Sequence, residues 1–265
     1  MSFNNSTTSF IVINSKYRTN DSRSTTDFTY NIGQAIEVPS VTIKSVSIPV
    51  TQYNIGSYNN KLRISSGGID YDFVIPEGQY DVTQLSLVIQ GLIQGALGGA
   101  VTLSIDPITK KLVLTSTFGL KISVDPVLSS ISKYLGLNYQ ASSYYPAVDS
   151  TTINFVNVPE LQGSNNYYLA SSVLAQGYSS ILTDGKLVPI IMPIPIDVEW
   201  GQVQNYESQD TQLNTKNYVR LQNIQNIDIK IYDDDLNVVD LNGSDIEVVL
   251  KVNTGENLQP NYLNR

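Results

Sequence analysis

The chain contains neither cysteine nor histidine. Without cysteine there is no disulfide framework and no thiolate nucleophile. With both missing, the Ser-His-Asp and Cys-His constellations, zinc sites with nitrogen or sulfur ligands, and histidine general bases all drop out. Phosphate-cradling loops are missing too, since neither Gly-x-Gly-x-x-Gly nor Gly-Lys-Ser/Thr occurs. Charge is scarce: Asp, Glu, Lys and Arg make up 15% of the residues, against about 25% in an average soluble domain. No apolar run reaches the ~18 residues that a membrane-spanning helix needs. The N-terminus has no charged stretch leading into an apolar one, so no signal peptide is expected. On that reading the Asn-x-Ser/Thr sequons at Asn4 and Asn242 meet no glycosylation enzyme, and a reducing cytoplasm suits the chain.

What is present is polar, acidic and rich in tyrosine. The 265 residues suffice for one large all-β domain or two smaller ones. One tryptophan stands against 17 tyrosines, and 41% of the chain is hydrophobic. Tyrosine joins an apolar ring to a hydroxyl that can stay wet, which suits exposed sheets and contact surfaces. Net charge is −8. That argues against sequence-specific nucleic-acid binding, because neutralising phosphates takes Lys and Arg. Residues 1–24 run the other way, with Lys16, Arg18 and Arg23 against Asp21, a net of +2 that leaves −10 on the remainder.

Residues 1–27, rich in Asn, Ser and Thr with one apolar stretch at Phe10–Ile13, read as an extended arm, ordered only on whatever accepts Phe10, Val12 and their neighbours. Strands follow from Asp27. In Val41–Ile48 the apolar phase shifts from odd (Val41, Ile43) to even (Val46, Ile48), the mark of a β-bulge, and Pro49 ends the run. Strands at Lys61–Ser65 and Tyr71–Ile75 flank Gly67-Gly68. Asp81 with Gln84 forms a capping box ahead of Val82, Leu85, Val88, Ile89, Leu92 and Ile93 at helical spacing. A hairpin turns at Asp106-Pro107. A second helix is expected from Asp125-Pro126 through Val127, Leu128, Ile131 and Leu135 to Gly136. Three prolines in Val188–Ile196 exclude a regular central strand there. Ile227–Ile231 and Ile246–Val252 alternate cleanly and read as a closing hairpin.

Three stretches invite a chemical reading. Ser130-x-x-Lys133 matches one element of penicillin-binding enzymes, without a Ser-Asp-Asn or Lys-Thr-Gly partner. Asp233-Asp234-Asp235 with Asn237 and Asp240 suggests an oxygen-ligand calcium loop, but Val238 and Ser244 stand where an EF-hand needs glycine and glutamate. A pair of the 24 acids could serve as glycosidase carboxylates. None outweighs a solvated surface, so a non-enzyme without cofactor or metal is expected.

Ile13-Asn14-Ser15-Lys16-Tyr17-Arg18 resembles the opening element of penton (minor capsid) proteins of virophages and polinton-like viruses; Asn14 stands where those proteins have aspartate. Val46-Ser47-Ile48-Pro49 with Tyr53-Asn54-Ile55 resembles their next strand and bend. Ile227–Tyr232 through Leu250 resembles their last two jelly-roll strands. Ile75–Tyr80 and Leu135-Gly136-Leu137 resemble parts of the domain they often carry as an insertion. The resemblance implies a mainly β protein: a single jelly-roll sandwich at 28–58 and 141–265, a small inserted α+β domain at 59–140, and an N-terminal arm at 1–27. It implies a structural protein of the virion, assembled in the host cytoplasm or virus factory. Five copies would ring a vertex of an icosahedral particle, bound to the major capsid protein of the same virus. The insertion would face outward, toward a host receptor. Phe10, Val12, Lys16, Tyr17 and Arg18 are the expected assembly residues. Two other readings remain open at this stage: a receptor- or glycan-binding spike or fibre domain, and a carbohydrate-active enzyme on a jelly-roll scaffold.

Overall fold

A computed structural model describes residues 7–137, 143–175, 181–183, 186–207 and 215–254; the sequon at Asn4 lies outside them. The described residues are mainly β with one α-helix, and the curled antiparallel sheets are in keeping with a jelly-roll-like fold. The chain divides into two compact units, residues 1–52 with 164–265, and residues 53–163.

The first unit opens with β1 (Thr7–Asn14) and β2 (Asp27–Pro49). The second contributes β3 (Lys61–Ser66), β4 (Ile69–Val74), α1 (Val82–Leu97), β5 (Val101–Ile105), β6 (Leu112–Ser123) and β7 (Tyr144–Asn154). The chain then returns to the first unit with β8 (Asn166–Ala170), β9 (Ile181–Thr183), β10 (Lys186–Val188), β11 (Ile190–Pro195), β12 (Val203–Glu207), β13 (Thr215–Tyr232) and β14 (Glu247–Thr254).

In the first unit the strands run β1-β14-β2-β13-β8-β11, all antiparallel, and β12 also pairs with β2. The 23-residue β2 organises the sheet. Leu250 lies opposite Ile43 and Val249 opposite Ser45, so Lys44 is the extra residue of a bulge. That bulge sits at the expected phase shift, and it lets Val41, Ile43, Val46 and Ile48 all reach the core. Ile13, Phe28, Ile227, Ile229, Ile231, Val248, Leu250 and Val252 pack in the same cluster. Each such side chain, once buried, contributes about 1.5–3 kcal/mol relative to exposure. Among the described residues the proline-bearing β11 pairs only with β8, at the end of the sheet, where a missing N–H costs least.

Two expectations are corrected here. Ile227–Ile231 and Ile246–Val252 do not form a hairpin: β2 lies between β13 and β14. Alternation specifies which face of a strand is buried, not which strand is its neighbour. The long connection Asp233–Ile246 leaves room for β2 to intervene, unlike a two-residue hairpin loop. Nor is the described part of the expected arm, from Thr7 on, free. Thr7–Asn14 pairs along its full length with β14, and Ile13 is completely buried. Its four apolar residues, Phe10–Ile13, form an unbroken run, which marks no buried face by alternation.

The second unit packs α1 and a five-stranded sheet, β4-β3-β6-β5 with β7 on β6, around its own core. The capping box forms as expected: the Asp81 carboxylate accepts from Gln84 N, and the Gln84 side chain accepts from Asp81 N. Leu85, Ile89 and Ile93 line the buried face, and Gly98 ends the helix in the left-handed region. The β5–β6 turn closes where Asp106 accepts from the backbone N–H groups of Ile108 and Thr109.

The second expected helix is absent; residues 126–128 and 130–136 form turns. Its backbone and serines are used elsewhere. Ile131 N donates to Lys61 O, Ser130 Oγ accepts from Lys61 N, and Ser129 Oγ accepts from Arg63 N. Serine that bonds to backbone competes with the helical ladder. Ile131 and Leu135 are nonetheless buried, so the apolar spacing reports a real buried face. Because β7 pairs with β6, the second unit extends beyond the expected 59–140, and residues 144–154 leave the expected jelly-roll segment.

Asn54, only 5% exposed, ties together three stretches of this unit. Its Nδ2 donates to Tyr80 O at 2.8 Å and Leu161 O at 2.9 Å, and its Oδ1 accepts from Tyr80 N at 2.9 Å.

Candidate assembly surface

Pleating sends alternate residues of β1 to opposite faces of the sheet. Ile11 and Ile13 turn toward the core, while Phe10 (60% exposed) and Val12 (50%) turn to solvent. Cross-strand partners extend this row: Phe10 lies opposite Lys251, Val12 opposite Val249, and Asn14 opposite Glu247. Of these only the apolar stretch Phe10–Ile13 was legible in sequence. Val249 and Lys251 join the surface because β14 is the neighbour of β1, which no local pattern announces.

Beyond Asn14 the chain makes a short 3-10 turn, Ser15–Tyr17. Asn14 Oδ1 accepts from Lys16 N at 3.0 Å. That cap requires an acceptor oxygen rather than a charge, and the asparagine side chain supplies one. Ser15 is buried, donates its hydroxyl to Asp245 at 2.7 Å and accepts from Ile246 N at 3.0 Å. Arg18 bends back, its Nη1 donating to Ser15 O at 2.9 Å and lying 3.9 Å from the Asp245 carboxylate. Tyr17 is 69% exposed, and Lys16 is exposed beside it. The five expected residues thus divide: Phe10 and Val12 on the open sheet face, Lys16 and Tyr17 on the turn, and Arg18 bracing that turn.

The other candidates are placed differently. Among the described residues no group of three or more acids, histidines or cysteines is placed to hold a metal ion. Asp233 is buried and accepts from Asn237 N at 2.7 Å; burial pushes its carboxyl above the usual carboxylate range. Asp234 instead accepts from Asn165 N at 2.6 Å, and Asp240 from Asn242 N at 2.8 Å. In the second unit, the Ser130 hydroxyl is engaged by Lys61 N, and the Lys133 ammonium lies 5.6 Å from the Tyr134 ring centroid.

The second unit also carries a polar cluster that the sequence reading missed. Arg63 forks onto Asp72, which holds that carboxyl below its ordinary value. Asp70 is lowered by the Tyr144 hydroxyl and then by Ser65. Lys121 sits 5.0 Å from the Tyr144 ring centroid and 3.9 Å from Asp149. Residues far apart in the chain meet here through the β3–β6 and β6–β7 pairings.

Burial alone would raise the Asp228 carboxyl, but the N–H groups of Ser172 and Val173 and the hydroxyls of Ser172 and Ser171 outweigh it and bring it below 3.8. A lowered carboxylate contributes stability that is whole above the unfolded value and is lost as pH falls through the folded one. Asp233, raised, has the opposite sign: protonation on acidification relieves its burial cost. Asp228→Asn should therefore lower the melting temperature at pH 7 by a few degrees and flatten its decline below about pH 4. Asp233→Asn should steepen that decline. Parallel acid limbs for both variants and the parent in thermal melts from pH 3 to 7 would contradict the assignment.

The fold defines a class: a curled antiparallel β protein with a second, α+β unit set within its chain. No protein-family model and no curated protein matches the chain. Among solved structures the chain is similar to the selenomethionine-labelled mavirus penton protein, with a TM-score of 0.47 and 10% identity, over 92% of this chain and 99% of that one. No helix among the described residues is long and apolar enough to cross a membrane.

Proposed function

We propose that this protein is a structural subunit of a viral capsid, the penton-type block that forms homopentamers at the fivefold vertices of an icosahedral DNA virus. The observation that carries the reading is the outward row of β1, where Phe10 and Val12 face solvent on a regular strand, with Tyr17 exposed on the turn that follows. Large apolar side chains held outward side by side on one sheet face suit a contact surface. The motif resemblance around Ile13–Arg18 supports the same reading, because it covers the residues that shape this turn. A ring needs only heterologous contacts repeated by rotation, and no catalytic group. In this reading the row meets the major capsid protein of the same virus, Lys16 lies at its edge, and the protein resides in the virion.

The mixed polar cluster around Arg63, Asp72 and Tyr144 favours a second role, contact with a host receptor through the second unit. A spike or fibre built on threefold symmetry is the competing assignment. Coassembly with the major capsid protein, read by cryo-electron microscopy, separates the two. Density at the fivefold axes that disappears with Phe10→Ser/Val12→Ser supports the penton reading. Density at any other position rejects it.

A further inference from the structure

Beta sheets expose unpaired backbone groups at their edges, and proteins usually guard them with charge, proline or irregularity. The edge strand β11 carries Pro193 and Pro195 and a break in register. In the second unit, the edge strand β4 carries Asp70 and Asp72, both exposed. β1 has none of these devices. Its eight residues, Thr-Thr-Ser-Phe-Ile-Val-Ile-Asn, hold no charge and no proline, and they pair with β14 without a shift. Among the described residues no strand pairs with its other edge.

The backbone phase of that edge can be read from the turn that follows. Ser15 N donates to Ile246 O, so the odd-numbered residues of β1 bond toward β14. Antiparallel ladders alternate, so the N–H and C=O groups of Thr8, Phe10, Val12 and Asn14 point outward from the sheet edge. These are the same residues whose side chains include the exposed pair Phe10 and Val12.

We propose that this edge pairs with β1 of a second copy of the chain, antiparallel about a twofold axis at Ile11. The phase permits it: Phe10 then exchanges two backbone hydrogen bonds with Val12 of the second copy, and Thr8 with Asn14. On the outer face each Phe10 meets a Val12, an aromatic and β-branched pairing that stabilises antiparallel sheets. On the inner face Ile11 meets its own symmetry mate. No like charges are opposed, because β1 has no charged residue and Lys16 and Arg18 lie beyond the paired stretch at opposite ends. The contact continues one sheet across two subunits and doubles the apolar row. It goes beyond the capsid reading and does not rest on it. One strand pair buries far less than the ~1,600 Å² of a standard interface, so the association is weak and concentration-dependent.

The chain has no cysteine, so Ile11→Cys introduces a unique thiol. Ile11 and its mate form a non-hydrogen-bonded pair, whose Cα atoms lie about 4.5 Å apart, within disulfide reach. With diamide as oxidant, Ile11→Cys should give covalent dimer at least about tenfold faster than Ile108→Cys, a control position that is 88% exposed in the second unit. In the unaltered chain, amide exchange at Phe10 and Val12 should slow as concentration rises, a readout that survives if the cysteine variant fails to fold. Equal cross-linking of the two variants, or exchange at Phe10 and Val12 that ignores concentration, overturns the proposal. Fivefold density without the cross-link removes this contact and leaves the capsid reading standing; the cross-link without fivefold density does the reverse.

Discussion

Deleting residues 1–24 should lower the thermal midpoint by about 10–20 °C and leave a protein prone to aggregate. Read from sequence alone, the same deletion would be nearly silent, because a loose arm makes few native contacts. The structure reverses the expectation. Removing β1 takes away a fully buried Ile13, worth about 2–5 kcal/mol when lost from a core. It also takes the bonds from Ser15 to Ile246 and Asp245 and that from Thr19 N to Thr29 O, each worth about 1 kcal/mol net. Finally it strips one side of β14, whose Val248, Leu250 and Val252 belong to the core cluster. The sum is on the order of 5 kcal/mol, comparable to the whole stability of many domains. At about 2–4 °C per kcal/mol for a protein of this size, the shift is plain in a melt followed by circular dichroism. A midpoint within about 2 °C of the full chain would show that β1 does not hold the sheet together.

Asn54→Ala should destabilise the second unit by about 3–4 kcal/mol. The side chain makes three bonds in a buried site, and truncation leaves Tyr80 N, Tyr80 O and Leu161 O without that partner. Asn54→Asp keeps an acceptor for Tyr80 N but aims a carboxylate at two carbonyl oxygens, so it should be no better than alanine. Asn54 and Leu161 stand near the two ends of residues 53–163, so loss of the bond between them should loosen the unit at the ends of its chain segment first. Limited proteolysis should then cut within residues 53–163 before it touches the β-strands of the first unit. Unchanged melting together with a cleavage pattern like the parent's would remove Asn54 from that role.

Much of the local structure was legible because its causes lie within a few residues. The Asp81–Gln84 box needs only one helical turn to close, and the helix runs from the next residue as the apolar spacing requires. The turn at Asp106 is made by its own carboxylate and the following N–H groups. The bulge at Lys44 is written in the phase of four apolar residues, because only an extra residue can send both halves of the strand to one core. For the assembly surface, Phe10 and Val12 could be singled out as apolar residues in a polar setting, and the structure leaves both facing solvent.

Tertiary structure decided which strands are neighbours and what the candidate side chains do. Alternation in Ile227–Ile231 and Ile246–Val252 determined a buried face for each, yet either face could be completed by several partners, and β2 took the place between them. Residues 127–136 carry helical spacing, but Lys61 and Arg63 on β3 claim their serines and the Ile131 N–H, and those bonds are invisible until β3 arrives. Ser15 and Asp245 meet across 230 positions, and that contact turns Arg18 from a free cation into the brace of a turn. By itself, then, the sequence determined the absence of thiol and imidazole chemistry, the caps, the turns and the inward face of most strands. Pairing order, the place of β1 and the make-up of the outward row depended on contacts between residues far apart in the chain, whose energies no short window of sequence contains.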